Sequence, residues 1–193
     1  MNDTLKFYNH NAQKYAAEMG VTDEKLKHFT KWLKPGAKVL ELGTGSGADA
    51  DIMLSEGIDV LPTDGSAELA AVATERLGRP VQIMRFDELE FQNTFDGIYA
   101  CASLTHAERR SLPHIISGIN TALLDGGVVW ASFKLGRGEG HDQFGRYYNY
   151  FTPGELISVW RENGVWSEVN MNEWLGSGYD GVETKWAAIT AFR

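Results

Sequence analysis

Cysteine is nearly absent: Cys101 is the only one in 193 residues. One thiol cannot close an internal disulfide, and it excludes a cysteine-rich zinc site. Long apolar runs are missing too. No stretch approaches the ~20 residues that a membrane-spanning helix needs. The first ten residues are polar, without the apolar centre of an export signal. Positive charge is scarce. Eighteen Lys and Arg stand against 26 Asp and Glu, a net charge of −8, and no basic block interrupts the chain. Such a balance suits a nucleic-acid backbone poorly. His10, His28, His106, His114 and His141 are not spaced as a metal set. These shortages predict a soluble cytoplasmic protein with no metal, no membrane and no nucleic acid as partner.

What is present reads as one α/β domain. The length and the 43% share of hydrophobic residues suit a single full core. Apolar periodicity predicts helices over 3–17, 46–55, 66–77, 108–124 and 153–163. Another helix is expected from a Thr22 cap to the Pro35-Gly36 stop. Strands are expected over 37–42, 58–64, 81–84, 94–100 and 128–133, and their alternation with helices implies a parallel sheet. A final pair, 165–174 and 184–192, reads as an antiparallel hairpin closing one edge. Pro62 conflicts with an interior strand position, because it lacks a ladder donor. Trp160, Trp166, Trp174 and Trp186 leave room for an aromatic surface near that hairpin.

The segment Val39-Leu40-Glu41-Leu42-Gly43-Thr44-Gly45-Ser46-Gly47 stands out. A buried strand runs into three alternate glycines and then a helix. A backbone this bare lies against a ligand, and the N-terminus of the helix favours an anionic group there. The residues also fit the dinucleotide pattern G-x-G-x-x-A as Gly43, Gly45 and Ala48. Asp64 ends the second strand, and Gly65 follows it. An acid there can accept both hydroxyls of a ribose; it can equally cap the next helix.

These residues resemble the class I S-adenosylmethionine-dependent methyltransferase family from Val39 to Phe192. Glu41, Gly43, Gly45 and Gly47 match its first motif, and Asp64 its ribose acid. Phe86-Asp87 matches the apolar residue and acid beside the adenine. Phe95 to Cys101 matches the fourth-strand motif, and Leu124-Asp125-Gly126-Gly127 the turn before the fifth strand, with Asp125 in place of proline. Within the family, residues 132–148 are similar in style to the small tellurite-resistance-like methyltransferases. The resemblance implies a Rossmann-like sheet of seven mostly parallel strands, with helices on both faces and the antiparallel C-terminal hairpin. It implies a helical cap over 1–35, a cofactor-binding core over 36–134, a substrate lid over 135–152, and the last helix and hairpin over 153–193. The implied cofactor is S-adenosyl-L-methionine, held by Tyr15, Glu41, Gly43, Gly45, Gly47, Asp64, Gly65, Phe86, Asp87 and Cys101.

The methyl acceptor implied is a small molecule. Tyr8 and Tyr15, seven residues apart, share one helical face that can close over the cofactor. His106 is the candidate general base, since its ordinary pKa suits proton removal near neutrality; packing of the following helix is the alternative. The glycine-rich stretch 136–149 carries Arg146, Tyr147 and Tyr148. It is expected to form the lid, with Arg146 clamping an anionic group and the tyrosines lining the pocket. Two other readings stay open: a module that binds the cofactor without turnover, and a nicotinamide-dinucleotide oxidoreductase.

Overall fold

Strands buried on both faces must be apolar at nearly every position. In β1 (Lys38–Leu42), β4 (Phe95–Ala100) and β5 (Leu123–Lys134) the buried positions are mostly apolar, whereas β2 (Asp59–Asp64) also buries Thr63 and Asp64; the short β3 (Gln82–Ile83) lies at an edge. The computed structural model, which describes residues 3–19 and 23–193, adds β8 (Glu168–Ser177) and β9 (Glu183–Phe192). The seven form one sheet of order β3-β2-β1-β4-β5-β9-β8. The first five pair in parallel, and β9 runs antiparallel to both β5 and β8. The expected Rossmann-like sheet is therefore present. A separate ribbon pairs β6 (Glu139–His141) with β7 (Tyr147–Asn149).

Side chains alternate between the faces of each strand, and the core divides accordingly. Leu40, Ile98 and Val129 join the cluster of α5 (Leu112–Ala122) and α6 (Pro153–Glu162). Val39, Tyr99 and Trp130 join the cluster of α2 (Asp23–Thr30) and α3 (Ala48–Ser55). The remaining helices, α1 (Asp3–Glu18) and α4 (Ala67–Leu77), pack on one another beside the carboxyl ends of the strands. Among the described residues no helix is long and apolar enough to cross a membrane.

Pro62 does sit inside β2, opposite Glu41. Its conflict dissolves in the register. The carbonyl of the next residue, Thr63, accepts from Gly43 and Thr44 N–H on the β1 side, at 2.9 and 2.8 Å. Alternation turns the position of the missing Pro62 donor the other way, where β3 begins pairing only at Thr63.

Several boundaries move for physical reasons. The third helix starts at Ala48 because Gly47 has φ +79°, and the fifth starts at Leu112 because Pro113 is tolerated only in a first turn. Asp125-Gly126-Gly127 is an irregularity inside β5, where the pairing slips between Phe95 and Gly97. The second helix ends at Thr30, ahead of Pro35-Gly36, and the Thr22 cap lies outside the described residues. The tryptophans do not form an aromatic surface. Trp160 is fully buried, Trp186 is nearly so, and half-buried Trp174 stacks on Trp186 at 6.3 Å.

Candidate active site

The sheet order reverses between β1 and β4. The chain steps outward from β1 to β3, then returns to β4 on the other flank of β1. In open α/β sheets the crevice beyond the carboxyl ends of the strands at such a switch point binds ligands. A cavity of about 280 Å³ lies there. Gly43 and Gly45 reach it after β1, Asp64 and Gly65 at the end of β2, Phe86 and Asp87 after β3, and Cys101 after β4; Tyr15 covers it from α1. All the residues expected to hold the cofactor thus line one cavity, except Glu41 and Gly47.

Those two act from behind the lining. An added Cβ on Gly47 would stand 3.1 Å from the Cβ of Ala73, so this glycine lets α3 pack on α4. Glu41 is buried, and the Thr44 hydroxyl donates to its Oε2. Burial pushes its carboxyl up to about 8, with Asp49 and Asp64 adding to the shift against the Thr44 bond. Gly43 answers to the protein as much as to a ligand. Its φ is +80°, and a Cβ there would fall 2.5 Å from the Cβ of Ser103. Ser103 Oγ donates to the Leu42 carbonyl at 2.5 Å, stitching the end of β1 to the loop after β4.

Asp64 accepts from Gly45 N–H at Oδ2, 2.9 Å, and from Ser66 N–H at Oδ1, 2.8 Å. Burial outweighs both bonds and pushes its carboxyl up to about 6. Ser66, rather than Asp64, caps α4: its Oγ accepts from Leu69 N–H at 3.2 Å and donates to Asn9 of α1 at 2.7 Å. Each Asp64 oxygen keeps accepting capacity for one ribose hydroxyl. At the far end Arg85 pairs with Asp87 at 3.0 Å beside Phe86. An acid for a ribose, a half-buried ring for a base and a glycine turn for an amino-acid tail fit S-adenosylmethionine.

Of the residues expected to meet the methyl acceptor, Tyr8 and His106 line the cavity, while Arg146, Tyr147 and Tyr148 do not. The rings of Tyr8 and Tyr15 meet edge to face at 5.1 Å, as one helical face requires. His106 Nδ1 stands 2.6 Å from the Tyr147 carbonyl, which can only accept, so Nδ1 carries the proton. Nε2 then accepts from the Tyr8 hydroxyl at 3.1 Å. Burial depresses the His106 pKa to about 4.

Arg146 is not placed as a clamp. It is buried, its Nε and Nη2 donate to Asp142 at 2.9 and 2.6 Å, and its Nη1 donates to Tyr8 at 3.0 Å. Its charge is thereby spent inside the protein. Tyr147 points its hydroxyl at Glu139 on an outer groove, and Tyr148 lies under His106, with ring centroids 4.4 Å apart. The stretch 135–152, expected as a lid, contains the β6–β7 ribbon. Its contribution to the cavity wall is indirect, through His106 and Tyr8. Sequence reasoning missed Ser103 and Asp142, for which an isolated Ser and Asp give no signal. It also missed Ala102, a non-glycine residue at φ +51° in the cavity wall, whose N–H donates to Ser132 Oγ at 2.7 Å. Among the described residues no group of three or more His, Cys, Asp or Glu is placed to hold a metal ion.

Comparison with known proteins agrees with this geometry. No curated protein sequence matches the chain. Among solved structures, a SAM-dependent methyltransferase from Methanosarcina mazei is 17% identical with a TM-score of 0.75, over 84% of this chain and 95% of that one. The 1,6-didemethyltoxoflavin-N1-methyltransferase of Burkholderia thailandensis, with its acceptor and S-adenosylhomocysteine bound, is 20% identical with a TM-score of 0.74, over 96% and 84%. A Haemonchus contortus phosphoethanolamine N-methyltransferase, in complex with phosphomonomethylethanolamine and S-adenosylhomocysteine, is 19% identical with a TM-score of 0.75; all of this chain aligns with 58% of that one. At these identities the likeness establishes the fold. A family model described as a methyltransferase domain matches residues 8–165. With most of its length inside that match, the chain belongs to the S-adenosylmethionine-dependent class I methyltransferases.

Proposed function

We propose that this enzyme methylates a small molecule seated beside the cofactor at the carboxyl edge of the sheet. The observation that carries the reading is the shared cavity. Gly43, Gly45, Asp64 and Phe86 line it together with Tyr8 and His106, so a donor site and an acceptor site are continuous. When bound, S-adenosylmethionine supplies a methyl group on a positively charged sulfur, which a nucleophile's lone pair takes while the C–S electron pair stays on sulfur.

The residues of the chain then bind, orient and exclude water. Asp64 takes the ribose hydroxyls, Gly43 and Gly45 admit the amino-acid tail, Phe86 and Asp87 flank the adenine, and Tyr15 and Cys101 close the cavity. Glu41 sits as a carboxyl reserve behind the glycine turn. Alignment of nucleophile and methyl in line supplies roughly 7–11 kcal/mol of barrier lowering. His106, held at about 4 and so a weaker base than its ordinary pKa led us to expect, accepts a hydrogen bond from the acceptor's O–H or N–H at Nε2. A net charge of −8 speaks against a nucleic-acid acceptor. The Burkholderia and Haemonchus proteins, which hold small acceptors, support a small-molecule reading. Transfer of a labelled methyl group from S-adenosylmethionine across a panel of alcohols, phenols, amines and thiols tests it. Turnover of at least one class is expected. Tight S-adenosylhomocysteine binding with no transfer to any class would instead mark a binding module.

A further inference from the structure

Two segments meet at His106: α1, which lines the cavity, and the β6–β7 ribbon, which stands behind the ring. The ribbon supplies the Tyr147 carbonyl on Nδ1 at 2.6 Å. The helix supplies the Tyr8 hydroxyl on Nε2 at 3.1 Å. Arg146, in the ribbon, aims that hydroxyl from 3.0 Å, and is itself fixed by Asp142 at the start of the ribbon turn. Asp142 also accepts the backbone N–H groups of Phe144 and Arg146, at 3.0 and 2.9 Å, so one carboxylate sets both the turn and the guanidinium.

We infer that residues 139–149 are a positioning element: they present His106 Nε2 to the cavity as an uncharged hydrogen-bond acceptor, and the Tyr8 hydroxyl seated on it marks the place of an O–H or N–H of the methyl acceptor. The inference rests on the methyl-transfer reading above. The charged and titratable groups around the imidazole cancel in pairs. Arg146 faces Asp142 within the ribbon, and Lys134 at the end of β5 faces Asp180 at 2.8 Å. Tyr8 and Tyr148 complete the surround. Burial therefore decides the ring's charge and keeps it neutral to about pH 4. A protic acceptor that displaces the Tyr8 hydroxyl donates to the same lone pair. As its nucleophilic atom gains the methyl group, its O–H or N–H bond breaks, the electron pair stays on that atom, and the proton leaves along the hydrogen bond to Nε2 and on to water, since a ring held at about 4 does not keep it. A nucleophile without such a proton gains nothing from this wall.

The test needs no acceptor. Nitrogen NMR of protein labelled with 15N-histidine reads protonation at each ring atom, and His106→Gln identifies the signals. In the wild type we expect a protonated Nδ1 and a bare Nε2, unchanged from about pH 8 to about pH 5. Asp142→Asn should loosen the ribbon turn, free Nδ1 from the Tyr147 carbonyl and release the ring to mixed tautomers. Tyr8→Phe, a milder change, should shift Nε2 alone and leave Nδ1 protonated by virtue of Tyr147. Identical His106 signals in wild type and Asp142→Asn, or a proton on Nε2 in the wild type, would overturn the inference. Calorimetry with S-adenosylhomocysteine separates it from the reading it rests on. Asp142→Asn should keep that affinity within about threefold, whereas a wild type that fails to bind S-adenosylhomocysteine would remove the methyl-transfer reading itself.

Discussion

Asp64→Asn separates a ribose-binding acid from a merely structural one. The carboxylate already accepts two backbone N–H bonds, one on each oxygen. An asparagine must place its NH2 group opposite either Gly45 N–H or Ser66 N–H. One bond is lost in the empty protein, and one ribose hydroxyl loses a charged acceptor in the complex. A hydrogen bond to a charged group contributes about 1.5–3 kcal/mol. At about 1.4 kcal/mol per factor of ten, S-adenosylhomocysteine should bind roughly 10- to 150-fold more weakly. The pH dependence supplies a second check. The empty protein holds this carboxyl at about 6, because burial disfavours its charge. The ligand takes the ionised form, so affinity is complete well above pH 6 and is lost as pH falls through that value. At pH 5 about a tenth of the sites are ionised, an expected tenfold weakening relative to pH 8. Asp64→Asn should lack this tenfold step and keep only the pH dependence that Glu41 contributes. Calorimetric titration of both proteins between pH 5 and 8, with circular dichroism to confirm folding, measures it. A folded variant that binds within twofold of wild type would refute the assignment.

Two further outcomes follow from the same cavity. Gly43→Ala must hold an L side chain at φ +80° and drive its Cβ into Ser103. The conformation costs about 1–2 kcal/mol and the overlap about 1–3 more, so thermal melting should show a clear loss of stability and calorimetry a loss of cofactor binding; an unchanged melt would remove the steric account. Glu41, held at about 8, is mostly protonated at pH 7. The cofactor's ammonium favours its ionised form, so binding near pH 7 should release up to about one proton, read as a dependence of the calorimetric enthalpy on buffer ionisation heat. Glu41→Gln should abolish that dependence, and its absence from wild type would contradict the placement of the acid.

Much of the fold was legible because strands and glycines speak locally. A strand buried on both faces is a run of apolar residues, and β1, β4 and β5 were each found that way. Gly43, Gly45 and Gly47 announced a bare strand-to-helix turn, and all three adopt positive φ there. The ribbon was opaque for the opposite reason: strands of three residues are too short to show alternation. Arg146 shows the limit at the site. An arginine in a glycine-rich loop suggests an anion clamp, but its partner, Asp142, lies across a turn that only the fold creates. His106 could be located from sequence, whereas its proton could not. The tautomer follows from a backbone carbonyl 41 residues further along the chain.

The contacts that close the cavity have a consequence for how the chain is made. Thr4 accepts from Tyr147 N–H, and Tyr8 accepts from Arg146, across separations of 143 and 138 residues. Contacts so far apart in sequence form late, after the loop between them has been ordered by other means. Until the ribbon has folded, α1 can pack on α4, but Tyr8 lacks Arg146 and Thr4 lacks Tyr147. The sheet can assemble without it, and the site cannot. Competence for ligand is therefore the last property this protein acquires, and the first it surrenders when α1 parts from the ribbon.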